Sequence, residues 1–336
     1  MTDTGRIELA HGGGGQLTCE LIEQVILPAI GGQQPDNLLD AAVFETAGKV
    51  AFTTDTFVVR PLEFPGGDIG KLAVCGTVND LAVAGAKPRA LSLALVLREG
   101  LEIDLLRRIL ASAAAEARNA GVTIVTGDTK VVERDACDGM IINTAGVGEP
   151  LPGASLGFDR IRPGDRVLLS GPLGEHAIAV MSRREGLSFS ADLVSDCGSI
   201  HRPAMALVER LGEGVRFMRD PTRGGLAATL TEIASSAGYD VEIEESAIPA
   251  NPSAVSAAEM LGLDLLSAAN EGKLVAVVDG EAADEAREVL AACEISAGAA
   301  VIGTVGGPGS MVEMVTRVGG RRVIQKPYGE ELPRIC

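Results

Sequence analysis

Five aspartates sit in short stretches rich in glycine, threonine or small apolar residues: Asp40 in LLDAAVF, Asp55 in FTTDTF, Asp80 in TVNDLAVAGAKP, Asp128 in VTGDTK and Asp220 in RDPTRGG. Asp80 is the most informative. Gly76, Asn79, Asp80 and Val83 fall at i, i+3, i+4 and i+7, on one face of an otherwise apolar helix. A carboxylate on a packed helix must be paired or bind a cation, because burying it bare is too costly. Taken singly, each aspartate reads more readily as a helix cap or turn residue. Together they point to a hard divalent cation, and Mg²⁺ characteristically uses carboxylates alongside substrate phosphates.

Two further stretches suit an anion. The run Gly12, Gly13, Gly14 and Gly15 exposes backbone N–H groups that could close over phosphates, although its composition equally fits a disordered leader. Arg223, followed by Gly224, Gly225 and a helix start, could aim a guanidinium and helix-start N–H groups at the same kind of ligand. The common nucleotide motifs fail: Gly66–Leu72 lacks the leading glycine and final Ser or Thr of a P-loop, and no GxGxxG, HExxH or GxSxG occurs in its proper context. The combination suggests a Mg-nucleotide site of another type.

The elements that must position these residues alternate strand and helix. In the first half we expect strands Val50–Thr54 and Ala90–Leu97, with a helix Ile69–Ala86 between them. A helix Glu102–Ala120 follows, then strand Val122–Val125, a polar turn Thr126–Thr129 and strand Met140–Val147. A loop over Gly148–Gly164 marks the domain boundary. The second half reads as strand Arg166–Ser170, helices Glu175–Ser182, Ile200–Gly212 and Leu226–Ala237, and strand Val241–Glu244. Helix Ser253–Leu261, strand Leu274–Val278, helix Glu281–Cys293 and strand Ala300–Val305 complete it. The tail Gln325–Cys336 has no periodic pattern and reads as extended and mobile.

With 336 residues, the chain is long enough for two domains. Its net charge of −17 excludes a global basic footprint for nucleic acid or anionic membrane. Glycine is abundant at 42 residues, and with no Trp, 7 Phe and 2 Tyr there are few platforms for stacking bases. The six cysteines (Cys19, Cys75, Cys137, Cys197, Cys293, Cys336) lack CxxC spacing, which favours reduced thiols in a cytoplasm over a zinc site or disulfide framework. No signal peptide pattern precedes the glycine run.

The series HGGGG, DAAV, FTTDT, GTVNDLAVAGAKP, TGDTKVVE, DPTRGGLA, IPANPSAV and NEGKL resembles the PurM-like ATP-binding superfamily. That superfamily includes aminoimidazole ribonucleotide synthetase, selenophosphate synthetase and thiamine-phosphate kinase. The ending Pro333-Arg334-Ile335-Cys336 further resembles the HypE family of hydrogenase-maturation carbamoyl dehydratases.

The resemblance implies an α/β (α+β) two-domain fold. A glycine-rich segment (1–40) would precede an N-terminal ATP-binding and dimerisation domain (41–152), a C-terminal α/β domain (160–324) and the tail (325–336). It also implies a homodimer, ATP and Mg²⁺, with Asp40, Asp55, Asp80, Asp128 and Asp220 at the metal and phosphates and Gly12–Gly15 covering them. Lys130 and Glu271 would sit near a reacting Cys336. The implied partners are a carbamoyltransferase, HypF, and an iron scaffold of HypC and HypD. On this reading ATP dehydrates an S-carboxamide on Cys336 to a thiocyanate, whose cyanide passes to the iron of a [NiFe]-hydrogenase. The competing readings are another enzyme of the superfamily, such as a selenophosphate synthetase, and a non-catalytic ATP-gated scaffold. His176 and His201 read as structural, and the other five cysteines as packing or surface residues.

Overall fold

The computed structural model describes residues 6–8, 21–30, 48–186, 193–326 and 335–336. The first sheet is four-stranded. Strand β1 (Ala51–Phe57) and a short hairpin of β2 (Glu63–Phe64) and β3 (Gly67–Asp68) lead into helix α1 (Ile69–Val83). Strand β4 (Ala86–Arg98), helix α2 (Ile103–Ala120), β5 (Thr123–Val132) and β6 (Met140–Pro150) follow, giving the order β1-β6-β4-β5. The β4–β5 pair is parallel and needs a crossover, which α2 supplies before ending at Gly121 in the left-handed conformation (φ 69°).

Helix α1 starts at Asp68, whose carboxylate accepts hydrogen bonds from the Gly70 N–H at 2.8 Å and the Lys71 N–H at 2.9 Å. It is apolar nearly all round because the first sheet and α2 pack on one side and the second domain on the other. Gly76 is where helix and strand come closest. A Cβ there would lie 2.7 Å from the Phe57 ring of β1, so glycine lets α1 settle against β1 with Asp80 and Asp55 in one space.

The second sheet contains β7 (Arg166–Leu169), β8 (Val215–Arg219), β9 (Tyr239–Glu244), β10 (Val275–Val278), β11 (Ala300–Pro308), β12 (Val312–Val315) and β13 (Arg321–Ile324). Their order is β13-β12-β9-β11-β7-β10-β8, antiparallel except for β12 beside β9. Helix α3 (Glu175–Glu185) precedes α4 (His201–Leu211), and α5 (Gly225–Ala237) and α6 (Pro252–Leu261) precede α7 (Ala283–Ala291). Strand β10 is buried throughout because its side chains alternate between two cores. Val275 and Val277 pack with Leu226, Leu230 and Ile233 of α5, whereas Ala276 and Val278 pack with Leu207 of α4 and Leu290 of α7.

Three expectations change. Thr126–Thr129 is part of β5 rather than a turn; at a sheet edge with an open outer face, a strand tolerates Gly, Asp and Thr. The hairpin β12–β13 has no clear strand pattern in the sequence, since β13 is an edge strand with Arg321 and Arg322 exposed. At the end of the tail, the Ile335 side chain is 2% exposed and belongs to the core formed by α1 and α2, and Cys336 packs partly buried against the same core. Among the described residues, no helix is long and apolar enough to cross a membrane.

Candidate functional site

Asp55 projects from the inner face of β1, Asp80 from the last turn of α1, and Asp220 follows the end of β8. Thr53 Oγ1 donates to Asp80 Oδ2 at 2.8 Å. Burial pushes the Asp80 carboxyl above its ordinary value; the Thr53 hydrogen bond opposes this and the Asp55 charge adds to it. Asp220 is pushed up to about 7, first by burial and then by the Asp80 charge. Like charges gathered out of water in this way are the donor set a hard cation relieves. Among the described residues, however, no three His, Cys, Asp or Glu side chains are close enough to hold one ion by themselves. The chemistry of the site therefore fits an ion that brings part of its own shell, such as a metal–phosphate complex.

Beside these carboxylates lies the end of the chain. Glu271 is 2% exposed, and neither of its oxygens has a hydrogen bond of standard geometry among the described residues; the Cys336 thiol is the donor that faces it. Burial, reinforced by the Asp220, Asp196 and Asp55 charges, holds the Glu271 carboxyl well above the ordinary range. Burial also raises the Cys336 thiol well above its usual value, and the Glu271 charge adds to the rise while Arg223 opposes it. Arg223, exposed just after Asp220, thus acts on both the aspartate cluster and the tail.

The loop carrying Glu271 is tied down on every side. Asn270, fully buried, accepts from the Gly174 N–H at 2.8 Å and donates to the Pro221 carbonyl at 3.1 Å and the Ala268 carbonyl at 2.9 Å. Asp196 accepts from the Glu271 N–H at 3.2 Å and the Gly272 N–H at 3.1 Å. It is itself paired with Lys273 at 3.3 Å, whose Nζ also lies 3.4 Å from Glu175. From the first domain, Asn79 donates to the Glu271 carbonyl at 3.3 Å and the Gly198 carbonyl at 3.2 Å, and accepts from the Ile200 N–H at 2.8 Å. Asn79 and Asp80 are neighbours on α1, so one helix end both locks the domains together and presents a carboxylate.

Not all the candidate residues join this cluster. Asp128 and Lys130 lie on the outer face of the first sheet, 3.4 Å apart and both largely exposed. The register runs Thr56–Asn143–Ala94–Asp128 across the sheet, so Asp128 stands three strands from β1 on the face opposite Asp55. That is roughly 14 Å at ordinary strand spacing. Within one chain, Lys130 is therefore not beside Cys336, and Asp128 does not share the pocket of Asp55, Asp80 and Asp220. Gly12–Gly15 and Asp40 lie outside the described residues.

Comparison with known proteins decides the family. Profiles described as AIR synthase related protein, N-terminal domain, and AIR synthase related protein, C-terminal domain, match residues 39–149 and 162–315. "Carbamoyl dehydratase HypE" of Rhodobacter capsulatus is 49% identical over 335 residues, covering 98% of each chain. The crystal structure of the hydrogenase maturation protein HypE in complex with ATP superposes with a TM-score of 0.94 at 44% identity, over 98% of this chain and 99% of that one. A HypE–HypF complex structure matches with a TM-score of 0.81 at 43% identity, over 91% and 99%. The chain belongs to the HypE family of carbamoyl dehydratases.

In this HypE-family chain the candidate reacting groups stand in recognisable stretches, whereas the bracing roles of the residues around them carry no such mark. Asn270 and Lys273 lie in the NEGKL stretch already quoted for Glu271, but nothing in their spacing shows that they brace a loop. Asp196 and Ser195 fall in a stretch without periodic pattern. His176, read as structural, is fully buried and touches the tail: its Nε2 lies 2.8 Å from the Ile335 carbonyl.

Proposed function

We propose that this HypE-family enzyme uses ATP and Mg²⁺ to dehydrate a carboxamide carried on its own Cys336, in the cytoplasm and as a homodimer. The observation that carries this reading is the docking of the partly buried terminal thiol near the buried Glu271 carboxylate, beside Asp55, Asp80 and Asp220. Asp55, Asp80 and Asp220 are the residues that would hold a Mg²⁺–ATP complex, with Arg223 on the phosphates. Bound Mg²⁺ would supply neutralisation of the phosphate charge.

The chemistry balances as follows. The carbonyl oxygen of Cys336-S-C(=O)NH₂ bonds to the γ-phosphorus as the bond to ADP breaks, leaving an O-phosphorylated imidate after one N–H proton is lost. Loss of the second N–H proton expels phosphate and leaves Cys336-S-C≡N. Glu271 suits the proton acceptor, because a carboxylate with a raised pKa is a stronger base than an exposed one. The docked thiol, by contrast, is held protonated and partly buried, a poor nucleophile. Carbamoyl transfer from a HypF-type enzyme is therefore assigned to a released tail, dehydration to the docked one, and cyanide transfer to a HypC–HypD-type iron scaffold to a released tail again.

The dimer is assigned to the open outer face of the first sheet. Phe52 is 69% exposed there, and Val96, Ala94, Ala145 and Val147 line the same face, an apolar surface uncommon on a monomer. Such a dimer would bring Asp128 and Lys130, which lie outside the pocket of their own chain, towards the neighbouring subunit.

Intact-mass spectrometry tests the reading. Incubation with carbamoyltransferase, carbamoyl phosphate and ATP is expected to add about 43 Da, then to leave a net gain of about 25 Da, from the masses of a carboxamide and a nitrile replacing hydrogen. An unchanged adduct in Cys336→Ala would overturn it.

A further inference from the structure

We propose that His176 is the positioning residue that sets the register of the C-terminal tail, its Nε2–H clasping the Ile335 carbonyl so that Cys336 is delivered to Glu271. The proton positions follow from the partners. A carbonyl only accepts, so at 2.8 Å the Nε2 must carry the hydrogen. Nδ1 is then an acceptor, and Ser195 Oγ, 2.8 Å away, donates to it. The Ser195 oxygen in turn accepts from the Cys197 N–H at 3.0 Å, and the Ser195 N–H is fixed on the Pro65 carbonyl at 2.8 Å. One tautomer satisfies the whole relay from backbone to tail.

The surroundings hold that tautomer neutral and immobile. The ring is fully buried in the second residue of α3, with Phe64 edge-on at 5.3 Å and 86°. Burial lowers the imidazole pKa, with the nearby Asp196 charge opposing the fall. The Ser195 partner of the ring belongs to its own domain. The other ring nitrogen is completed by the penultimate residue of the chain, and release of the tail leaves a buried donor without a partner.

The division of labour with the Ile335 side chain is physical. That side chain sits in the apolar core and supplies affinity, but apolar burial has no direction and would accept the tail slid along by part of a residue. A hydrogen bond to the backbone carbonyl one residue before Cys336 fixes the position. It also ignores what the sulfur carries, so free thiol, carboxamide and thiocyanate are held alike.

The role of the contact rests on Cys336 being the reacting group, but its test does not. Iodoacetamide labelling of the full chain, followed at the Cys336 peptide by mass spectrometry, reports release of the tail whatever its chemistry. His176→Phe keeps a ring against Phe64 and removes the donor; labelling is expected to rise roughly tenfold, the loss of one buried hydrogen bond. His176→Gln returns an N–H donor near the Nε2 position and is expected to stay within about threefold of wild type. Ser195→Ala, which frees Nδ1, should fall between. In carbamoylated protein, His176→Phe should slow single-turnover thiocyanate formation with the KM for ATP unchanged. Wild-type labelling in His176→Phe, or labelling of His176→Gln as fast as that of His176→Phe, would overturn the proposal. Should His176→Phe fail to fold, Ser195→Ala and His176→Gln decide it: wild-type labelling in the former or tenfold labelling in the latter overturns it.

Discussion

On the inner face of the first sheet, Asp55 shares a buried space with Asp80 and Asp220 and their charges act on one another; on the outer face, Asp128 pairs with Lys130 in water at 3.4 Å. Both regions are built from short Asp-containing stretches flanked by Gly and Thr, and both aspartates lie on strands. The difference is cover. Helix α1 and the second domain close over the inner face, and closure turns ordinary carboxylates into a site with unrelieved charge, whereas the open face leaves its pair solvated. Residue type and spacing nominate candidates, and the packing of neighbouring elements decides which of them are under electrostatic stress.

The largest effect is expected where the inner face meets the tail. Glu271→Gln should slow thiocyanate formation by about two to four orders of magnitude, the usual value of a positioned base, with ATP affinity retained in calorimetry. Full activity would remove Glu271 from the chemistry. Next, Asp80→Asn should weaken Mg-ATP binding by about tenfold while thermal unfolding shows the fold intact; unchanged affinity would mean that the inner cluster does not hold the nucleotide.

The outer pair can be tested by mixing subunits. If Asp128 and Lys130 serve the neighbouring subunit, Glu271→Gln and Lys130→Ala, each nearly inactive alone, should regain about a quarter of wild-type sites after equal mixing and exchange, since half the dimers then hold one intact site. No recovery would leave the outer pair as surface charge. The smallest effect is on stability. Asp220 has a raised pKa in the folded state, so its ionisation costs stability as pH rises from the ordinary carboxylate range to about 7, and the full cost is present above that. In nucleotide- and metal-free buffer, Asp220→Asn should therefore melt a few degrees higher than wild type at pH 8, and the gain should vanish near pH 4. A gain equal at both pH values would place its origin elsewhere.

Much of the architecture was legible because its signals are local. The apolar period and Gly121 stop of α2, the continuous apolar run of β10 and the alternation of strands and helices each depend on a few neighbouring residues. What failed lay at sheet edges, where β5 and β13 need satisfy only one neighbour and carry residues that otherwise mark turns and surfaces. In the candidate site, Cys336 and Glu271 were nominated through the resemblance, and Asp80 from its helix face. The bracing roles of Asn79, Asn270 and His176 were legible neither way. Each works by bonding to backbone atoms far along the chain, and a backbone carbonyl such as that of Ile335 has no signature in sequence.

The docked terminus also limits how the enzyme can run. If the substrate is the last residue, each molecule carries one equivalent, held at an effective concentration set by the fold rather than by the solution. Dehydration is then first order in loaded protein, insensitive to dilution, and ATP consumption cannot outpace the delivery of carbamoyl groups and the removal of cyanide. On the same proposal, residues appended after Cys336 would lie beside the carboxylates assigned to Mg-ATP, so a carboxy-terminal affinity tag should compete with the nucleotide.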